Sequence, residues 1–147
     1  MRYRHTQFGW VTVGTCGALF LLFACLLLRT RAPHDLLLLT PMAVIAGVVA
    51  LFGTLTVEVD EMSIRLRFGL GLIRKNFALG DLASCQPVRN HWWWGWGIRL
   101  IPGGWLYKVS GFDAVELILK NGKKFRIGTD EPRQLAEFIQ ARLAHII

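Results

Sequence analysis

The chain has little of the residue chemistry on which metal sites and disulfide frameworks depend. It contains three cysteines and four histidines in 147 residues. Cys16 and Cys25 lie nine positions apart in one apolar run, so on a helix they face opposite sides, and Cys85 stands alone. No histidine has a partner at metal-ligand spacing. We therefore predict no disulfide and no metal site, which fits a cytoplasmic domain.

The motifs of nucleotide-binding and hydrolytic enzymes are missing as well. The segment GWGIRLIPGG at 95–104 holds a Gly-x-Gly but no third glycine that opens a helix, and no G-x-x-x-x-G-K-S/T loop occurs. The glycines of FGLG at 68–71 suit a hairpin turn. The carboxylate pairs at 60–61 and 130–131 fall at predicted turns, where such residues commonly cap or face solvent. We predict no catalytic residue, no cofactor and no enzymatic activity.

Acidic residues are scarce, with 10 Asp and Glu against 17 Lys and Arg, and the net charge is +7. This mild basic excess fits proximity to anionic lipid. A surface that stacks nucleic-acid bases carries several cations among its aromatic side chains. Arg89 and Arg99 are the only cations within reach in sequence of the three consecutive tryptophans at 92–94, so we predict no nucleic-acid partner.

Long apolar runs dominate the first third of the chain. Residues 8–28 carry no charge, and at about 1.5 Å per residue such a helix spans the roughly 30 Å core of a bilayer. A second uncharged run covers 36–57, and only the segment RTRAPHD separates the two. A cleaved signal peptide would be shorter and would end in small residues. We predict two antiparallel transmembrane helices at about 8–28 and 36–56.

Charges and small residues around these runs suggest an orientation and a packing face. Arginines precede the first helix and follow the second, which favours both termini in the cytoplasm. Small residues recur four positions apart in each helix and would let helix backbones approach closely. These candidate packing residues are Gly14, Ala18, Ala43 and Gly47. They would either pack the hairpin against itself or form the seam of an oligomer.

From residue 54 onward the apolar period changes from that of a helix to that of a strand. Leu55, Val57 and Val59 alternate with polar residues, and further strand patterns follow along the chain. Asn121-Gly122 is a strong hairpin signal. An amphipathic pattern at 131–146 predicts one closing helix. We predict an α+β membrane protein: a tail and helical hairpin at 1–56, then a small antiparallel β-barrel or sandwich at 57–147, capped by that helix.

The segments LGDLASCQPVRN and GWGIRLIPGGWLYKVSGFDAVELILKNGKKFRIGTDEP carry a family resemblance. Together with the helical hairpin they resemble the bacterial pleckstrin-homology-like domains of small two-pass membrane proteins. The most specific pieces are 95–99, 109–111 and 127–132. The resemblance implies a seven-stranded, two-sheet barrel with a C-terminal helix, in a bacterial inner membrane. It implies no activity, because such folds host many binding functions.

Five of the six tryptophans lie at 91–105. We expect Trp96 and Trp105 to pack in or against the β domain. Three consecutive tryptophans cannot all face one side of a strand, so at least one of those at 92–94 lies outside the core. The basic residues at 65–75 would meet lipid phosphates if they face outward. The predicted contact surface for lipid or a protein partner is Trp92, Trp93, Trp94, Arg65, Arg67, Arg74 and Lys75.

Taken as a whole, the sequence predicts a non-catalytic, two-pass inner-membrane protein. Its cytoplasmic pleckstrin-homology-like domain would bind a lipid surface or a protein, with self-assembly as one form of the latter. The alternative is a small accessory or assembly subunit of a larger membrane complex, with the helices and the tryptophans docked onto the partner.

Overall fold

The computed structural model describes residues 2–30 and 35–146. This part of the chain forms nine strands and three α-helices. The helices are α1 (Trp10–Arg29), α2 (Asp35–Phe52) and α3 (Pro132–Ile146). The strands are β1 (Tyr3–Phe8), β2 (Thr54–Val59), β3 (Ser63–Phe68), β4 (Ile73–Ala78), β5 (Leu82–Arg89), β6 (Gly97–Ile101), β7 (Gly104–Lys108), β8 (Asp113–Leu119) and β9 (Lys124–Gly128).

The two apolar runs form helices that pack side by side. By length and composition, α1 alone among the described helices is long and apolar enough to cross a membrane, and the apolar part of α2, Leu36–Phe52, is shorter. Helix α2 ends at Phe52 instead of the predicted residue 56, because the backbone extends into β2 from Thr54 onward. Most of the predicted tight loop, residues 31–34, lies outside the described residues.

The N-terminal segment is a strand, which the sequence analysis did not predict. Strand β1 pairs antiparallel with β2 along its full length, from Tyr3 opposite Val59 to Phe8 opposite Thr54. The amide of Gly9 donates a hydrogen bond of 2.7 Å to the carbonyl of Gly53. The helical hairpin is thus inserted between two neighbouring strands of one sheet. Residues 3–8 and 54–56 belong to that sheet, which differs from the predicted division of the chain at residue 56.

Two sheets face each other across the apolar core. The first is fully antiparallel, in the order β1-β2-β3-β4, and the second has the order β5-β8-β9-β7-β6 with β7 and β9 parallel. Alternate residues of β2 and β3 meet those of β7, β8 and β9, and the largest include Leu55, Leu66, Phe68, Leu117 and Ile127. Among the described strands no backbone pairing joins the two sheets, so the domain is a sandwich. Of the two predicted alternatives, barrel or sandwich, the structure therefore has the sandwich, and one of its strand pairs is parallel. The resemblance implies a seven-stranded barrel, whereas the described strands number nine and form no closed barrel.

Helix α3 confirms the amphipathic pattern predicted at 131–146. Its buried face packs against β5 and β8. Its Gln140 side chain donates to the Cys85 carbonyl at 2.9 Å, and the Phe138 ring lies 5.5 Å from that of Tyr3. Tyr3 also donates to Glu131 at 3.2 Å. The helix therefore fills the gap between the β1 edge of one sheet and the β5 edge of the other, while the gap between β4 and β6 stays open.

The predicted hairpin at Asn121-Gly122 is confirmed. It joins β8 to β9, and Gly122 adopts a φ of +85°, a left-handed conformation that glycine reaches without strain. The amide of Gly122 donates to the carbonyl of Leu119 at 2.9 Å. This turn lies at the end of the sandwich opposite the exits of α1 and α2.

Replacing residues 10–52 by a two-residue Asn-Gly turn should yield a folded, detergent-free domain. Gly9 and Gly53 are already hydrogen-bonded, and a turn of this type joins antiparallel strands at that separation. Circular dichroism should show cooperative thermal unfolding. Removing residues 2–8 as well should abolish that transition, since β2 then becomes an unpaired edge and the Tyr3 contacts to α3 are lost. Equal unfolding of both proteins would contradict a structural role for β1.

Candidate functional site

One end of the sandwich, here called the helix-side end, carries the exits of both long helices. Besides Gly9 and Gly53 it includes the β3–β4 turn (residues 69–72), the tryptophan loop (residues 91–96) and the β7–β8 loop (residues 109–112). The amide of Leu70 donates to the Ala50 carbonyl at 3.2 Å. The Thr12 hydroxyl lies 3.5 Å from the Val109 carbonyl. These contacts hold the loops beside the first turn of α1 and the last turns of α2.

The β3–β4 turn presses against the end of α2 and exposes two leucines. Gly69 has a φ of +48°, and a Cβ there would collide with the backbone of Ala50 and Leu51. Only glycine therefore permits this approach. Leu70 and Leu72 are each 76% exposed. The glycines at 68–71 predict a plain hairpin turn, whereas the structure shows that the turn has an apolar tip. The two leucines of this short, glycine-rich turn are the sequence signal for that tip.

Two of the four predicted basic residues lie near that tip. Arg67 and Arg74 stand directly opposite each other on β3 and β4, a like-charge arrangement that destabilises a sheet unless an anion is close. Arg74 also donates to the Gly71 carbonyl at 2.5 Å. Arg65 instead pairs with Asp60 at 3.1 Å, and the Lys75 ammonium lies 5.9 Å from the centre of the Phe125 ring, inside the open gap. The structure thus separates the predicted basic set.

Two of the four tryptophans in the tryptophan loop lie on the outer face of the second sheet. The Trp94 ring centre lies 5.0 Å from the Arg126 guanidinium, and that of Trp96 lies 5.4 Å from the Lys108 ammonium. Trp92 and Trp93 point away and are 71% and 61% exposed. The prediction that at least one of the three consecutive tryptophans lies outside the core is confirmed. Trp96 packs against the sheet as expected.

Trp105 does not match its expected packing. It is 42% exposed on β7 and borders the open gap between β4 and β6. The expectation of a packed side chain rested on the position of Trp105 in a predicted strand, and that strand lies beside an edge of the sandwich that no other described element covers.

A polar network lies beneath the tryptophan loop. Glu116 is 4% exposed and accepts hydrogen bonds from Arg126 at 2.8 Å and from Gln86 at 3.3 Å. Arg126 also donates to the Asn90 side-chain oxygen at 3.1 Å. A buried carboxylate of this kind needs a charge partner, and Arg126 supplies it. The sequence does not predict this network, because strand alternation assigns Gln86, Glu116 and Arg126 to solvent and Asn90 lies in the loop after β5.

Lys108 is fully buried under the same loop. Its ammonium has no hydrogen-bond partner and lies between the rings of Trp96 and Phe112, 5.4 Å and 5.2 Å from their centres. The indole nitrogen of Trp96 and the amide nitrogen of Asn90 are buried without partners too. Burial lowers the pKa of Lys108 from its usual value. The described interactions of the Lys108 ammonium are therefore cation–π contacts with the rings of Trp96 and Phe112.

The candidate packing residues of the helices remain uncovered. A Cβ added at Gly14 or Gly47 would meet no atom within 4 Å, and Ala18 and Ala43 are exposed. Neither glycine mediates contact between α1 and α2 within the chain. In the described ranges, 2–30 and 35–146, no group of three or more His, Cys, Asp or Glu residues could hold a metal ion. Burial under α3 raises the pKa of the Cys85 thiol to about 11, so that thiol is a poor nucleophile.

Replacing Lys108 by Met should raise the free energy of unfolding at pH 7 by about 1–3 kcal/mol, because the buried ammonium is unpaired. Folding lowers the pKa of Lys108 from 10.5. At pH values between the lowered pKa and 10.5, the unfolded state therefore binds more protons than the folded state. The parent therefore gains stability as pH rises through that interval, and the advantage of the variant shrinks. Denaturant titrations of both proteins from pH 7 to 10 measure the difference. Lys120→Met, at an exposed position, is the control. A Lys108→Met protein less stable than the parent would refute this account.

No known protein-family model matches the chain, and no curated protein matches it. The resemblance to pleckstrin-homology-like domains stays a prediction.

Proposed function

We propose that this protein is a two-pass protein of a bacterial inner membrane whose β-sandwich is a non-catalytic module that binds the lipid surface. Apolar side chains of both helices point away from the rest of the chain, with Leu21 71% exposed and Leu36 81% exposed. Side chains of this kind need lipid or protein cover. The two sheets and the C-terminal helix are compatible with the proposed pleckstrin-homology-like character.

The pairing of β1 with β2 supports an even number of crossings. Residues 3–8 precede α1, and residues 54–59 follow α2, yet they are neighbours in one sheet. Chain segments on opposite sides of a membrane cannot pair in this way. If α1 crosses the bilayer, α2 must return the chain to the same side. The arginines at positions 2 and 4 favour the cytoplasm as that side by the positive-inside rule.

One observation carries the lipid-surface assignment: exposed apolar side chains gather at the helix-side end. They come from α1, the β3–β4 turn and the tryptophan loop, and they are Trp10, Leu70, Leu72, Trp92 and Trp93. With the helices in a bilayer, this end faces the headgroup layer, where tryptophan is favoured. Arg67 and Arg74 lie just behind the leucines, and each would gain about 1 kcal/mol near anionic phosphates.

Brominated phospholipids should quench the fluorescence of Trp92 and Trp93 in the full-length protein, because bromine quenches only indoles that it contacts. In nanodiscs, the double variant Trp92→Phe/Trp93→Phe should lose a large part of the quenched signal. Trp105→Phe is the matched control, since Trp105 is also exposed but lies on β7 away from this end. If the double variant and the parent lose the same amount of fluorescence to brominated lipid, lipid contact at Trp92 and Trp93 is excluded.

A second candidate is an accessory or assembly subunit of a larger membrane complex. It is favoured by the uncovered small-residue face of Gly14, Ala18, Ala43 and Gly47. Such faces let a helix from another chain approach closely. The same face would serve a homo-oligomer, so the identity of the neighbour must be measured.

Cysteine crosslinking in native membranes distinguishes these neighbours. We expect Gly14→Cys, in a chain with Cys16 and Cys25 replaced by Ala, to form intermolecular disulfides. A homodimer band indicates self-assembly, whereas a larger product indicates a partner protein. Leu19→Cys is the control, about 140° around the helix from Gly14. Equal crosslinking at both positions, or none at Gly14→Cys, would remove the support for this second candidate.

A further inference from the structure

The open gap between β4 and β6 forms a groove along the side of the sandwich, here called the lateral groove. Its volume is about 580 Å³, within the range of about 300–1,000 Å³ typical of small-molecule sites. On the opposite side of the sandwich, α3 occupies the corresponding gap. The floor of the lateral groove is apolar and largely aromatic, and it consists of Phe68, Ile73, Ile98, Trp105, Tyr107 and Phe125.

The rim of the lateral groove is cationic. Arg74, Lys75 and Lys123 border it, and none of its described lining residues is acidic. The Lys75 ammonium lies 5.9 Å from the centre of the Phe125 ring, so one cation sits directly above the floor. Arg74 donates to the Gly71 carbonyl, whereas the ammonium groups of Lys75 and Lys123 have no hydrogen-bond partner among the described residues. An apolar floor under such a rim is complementary to a molecule with an acyl chain and an anionic head.

The lateral groove approaches the helices at one end. Ile98 also lines a second cavity of about 320 Å³, together with Thr12, Val48 and Phe52. The ring of Phe52 lies 6.0 Å from that of Phe68 on the floor. The opposite end is bordered by Lys123, next to the β8–β9 turn. An acyl chain in the groove can therefore run from the helix-side end toward the lysines.

We propose that the lateral groove binds one single-chain anionic amphiphile, a fatty-acid anion. Its chain lies on the aromatic floor, and its carboxylate meets Lys75 and Lys123. This site is distinct from the surface formed by Trp92, Trp93 and the leucines of the β3–β4 turn. Entry from the bilayer rests on the proposed membrane attachment, whereas binding itself does not.

Trp105 provides a reporter within the groove. The probe is 9,10-dibromostearate, added to the full-length protein in phosphatidylcholine nanodiscs. Other tryptophans meet the probe in the bilayer, so quenching is measured in the parent and in Trp105→Phe. The difference between the two is the quenching of Trp105. We expect saturable quenching of this signal. The methyl ester of the probe lacks the charge and should bind about tenfold more weakly, which corresponds to 1.4 kcal/mol.

Rim variants test the role of the lysines. Lys75→Gln/Lys123→Gln should weaken the binding of dibromostearate by about tenfold or more, since charge-assisted contacts are lost. The control Lys120→Gln/Arg133→Gln removes the same charge at exposed positions outside the groove and should leave the affinity unchanged. An equal loss in both double variants would overturn the assignment of the carboxylate to the rim.

Other results overturn the proposal as a whole. They are a Trp105 signal that saturating probe leaves unquenched, and equal affinities for the acid and its ester. A second copy of the chain in the groove would instead shield Trp105 from acrylamide as protein concentration rises, and dibromostearate would not quench it. The quenching of Trp92 and Trp93 by brominated phospholipid is measured separately. Loss of the Trp105 signal alone would contradict fatty-acid binding in the groove, whereas loss of the Trp92 and Trp93 signal alone would contradict the proposed lipid-surface contact.

Discussion

The antiparallel pairing of β1 with β2 is the constraint on which the rest of the structure depends. It ties the residue before α1 to the residue after α2 through the hydrogen bond between Gly9 and Gly53. A domain joined to a membrane helix by one flexible linker can tumble, but a sheet that continues into both helices cannot. The orientation of the sandwich relative to the helices is therefore fixed. The loops at the helix-side end therefore point in a fixed direction relative to the helices, and the lateral groove lies at a fixed distance from them.

The tryptophan loop shows how one run of similar residues divides between two uses. Trp94 and Trp96 lie over Arg126 and Lys108, so they shield charged side chains of the second sheet that would otherwise face water. Burying these polar groups costs free energy, and the loop leaves several donors unpaired. The indoles that remain, Trp92 and Trp93, are presented on a short 3₁₀ turn and take no part in that shielding. Packing thus accounts for half of the cluster and leaves the exposed half for a surface role.

Local sequence patterns predicted the elements in which the spacing of apolar and turn residues alone indicates the strand, turn or helix. The alternation in β2 and β3, the Asn121-Gly122 turn and the amphipathic α3 all followed from residue spacing. Strand β1 did not, because its inward positions hold Tyr3, His5 and Gln7 instead of aliphatic residues, and its paired residues lie 46 or more positions away along the chain. Lys108 and Glu116 were equally hidden: a loop distant in sequence buries them. Of the candidate site, the outward tryptophans were predictable, while the leucine tip and the open edge depended on tertiary contacts.

The insertion of the helical hairpin between β1 and β2 has a consequence for biosynthesis. The ribosome makes β1 first, but its pairing partner emerges only after both helices have been synthesised. In the proposed topology the N-terminal residues must wait on the cytoplasmic side until the hairpin has entered the bilayer. A hairpin inserted in the wrong orientation would leave β2 without its neighbour, and a bare strand edge is a target for aggregation and proteolysis. In the proposed topology, completion of the sheet would therefore depend on correct membrane insertion.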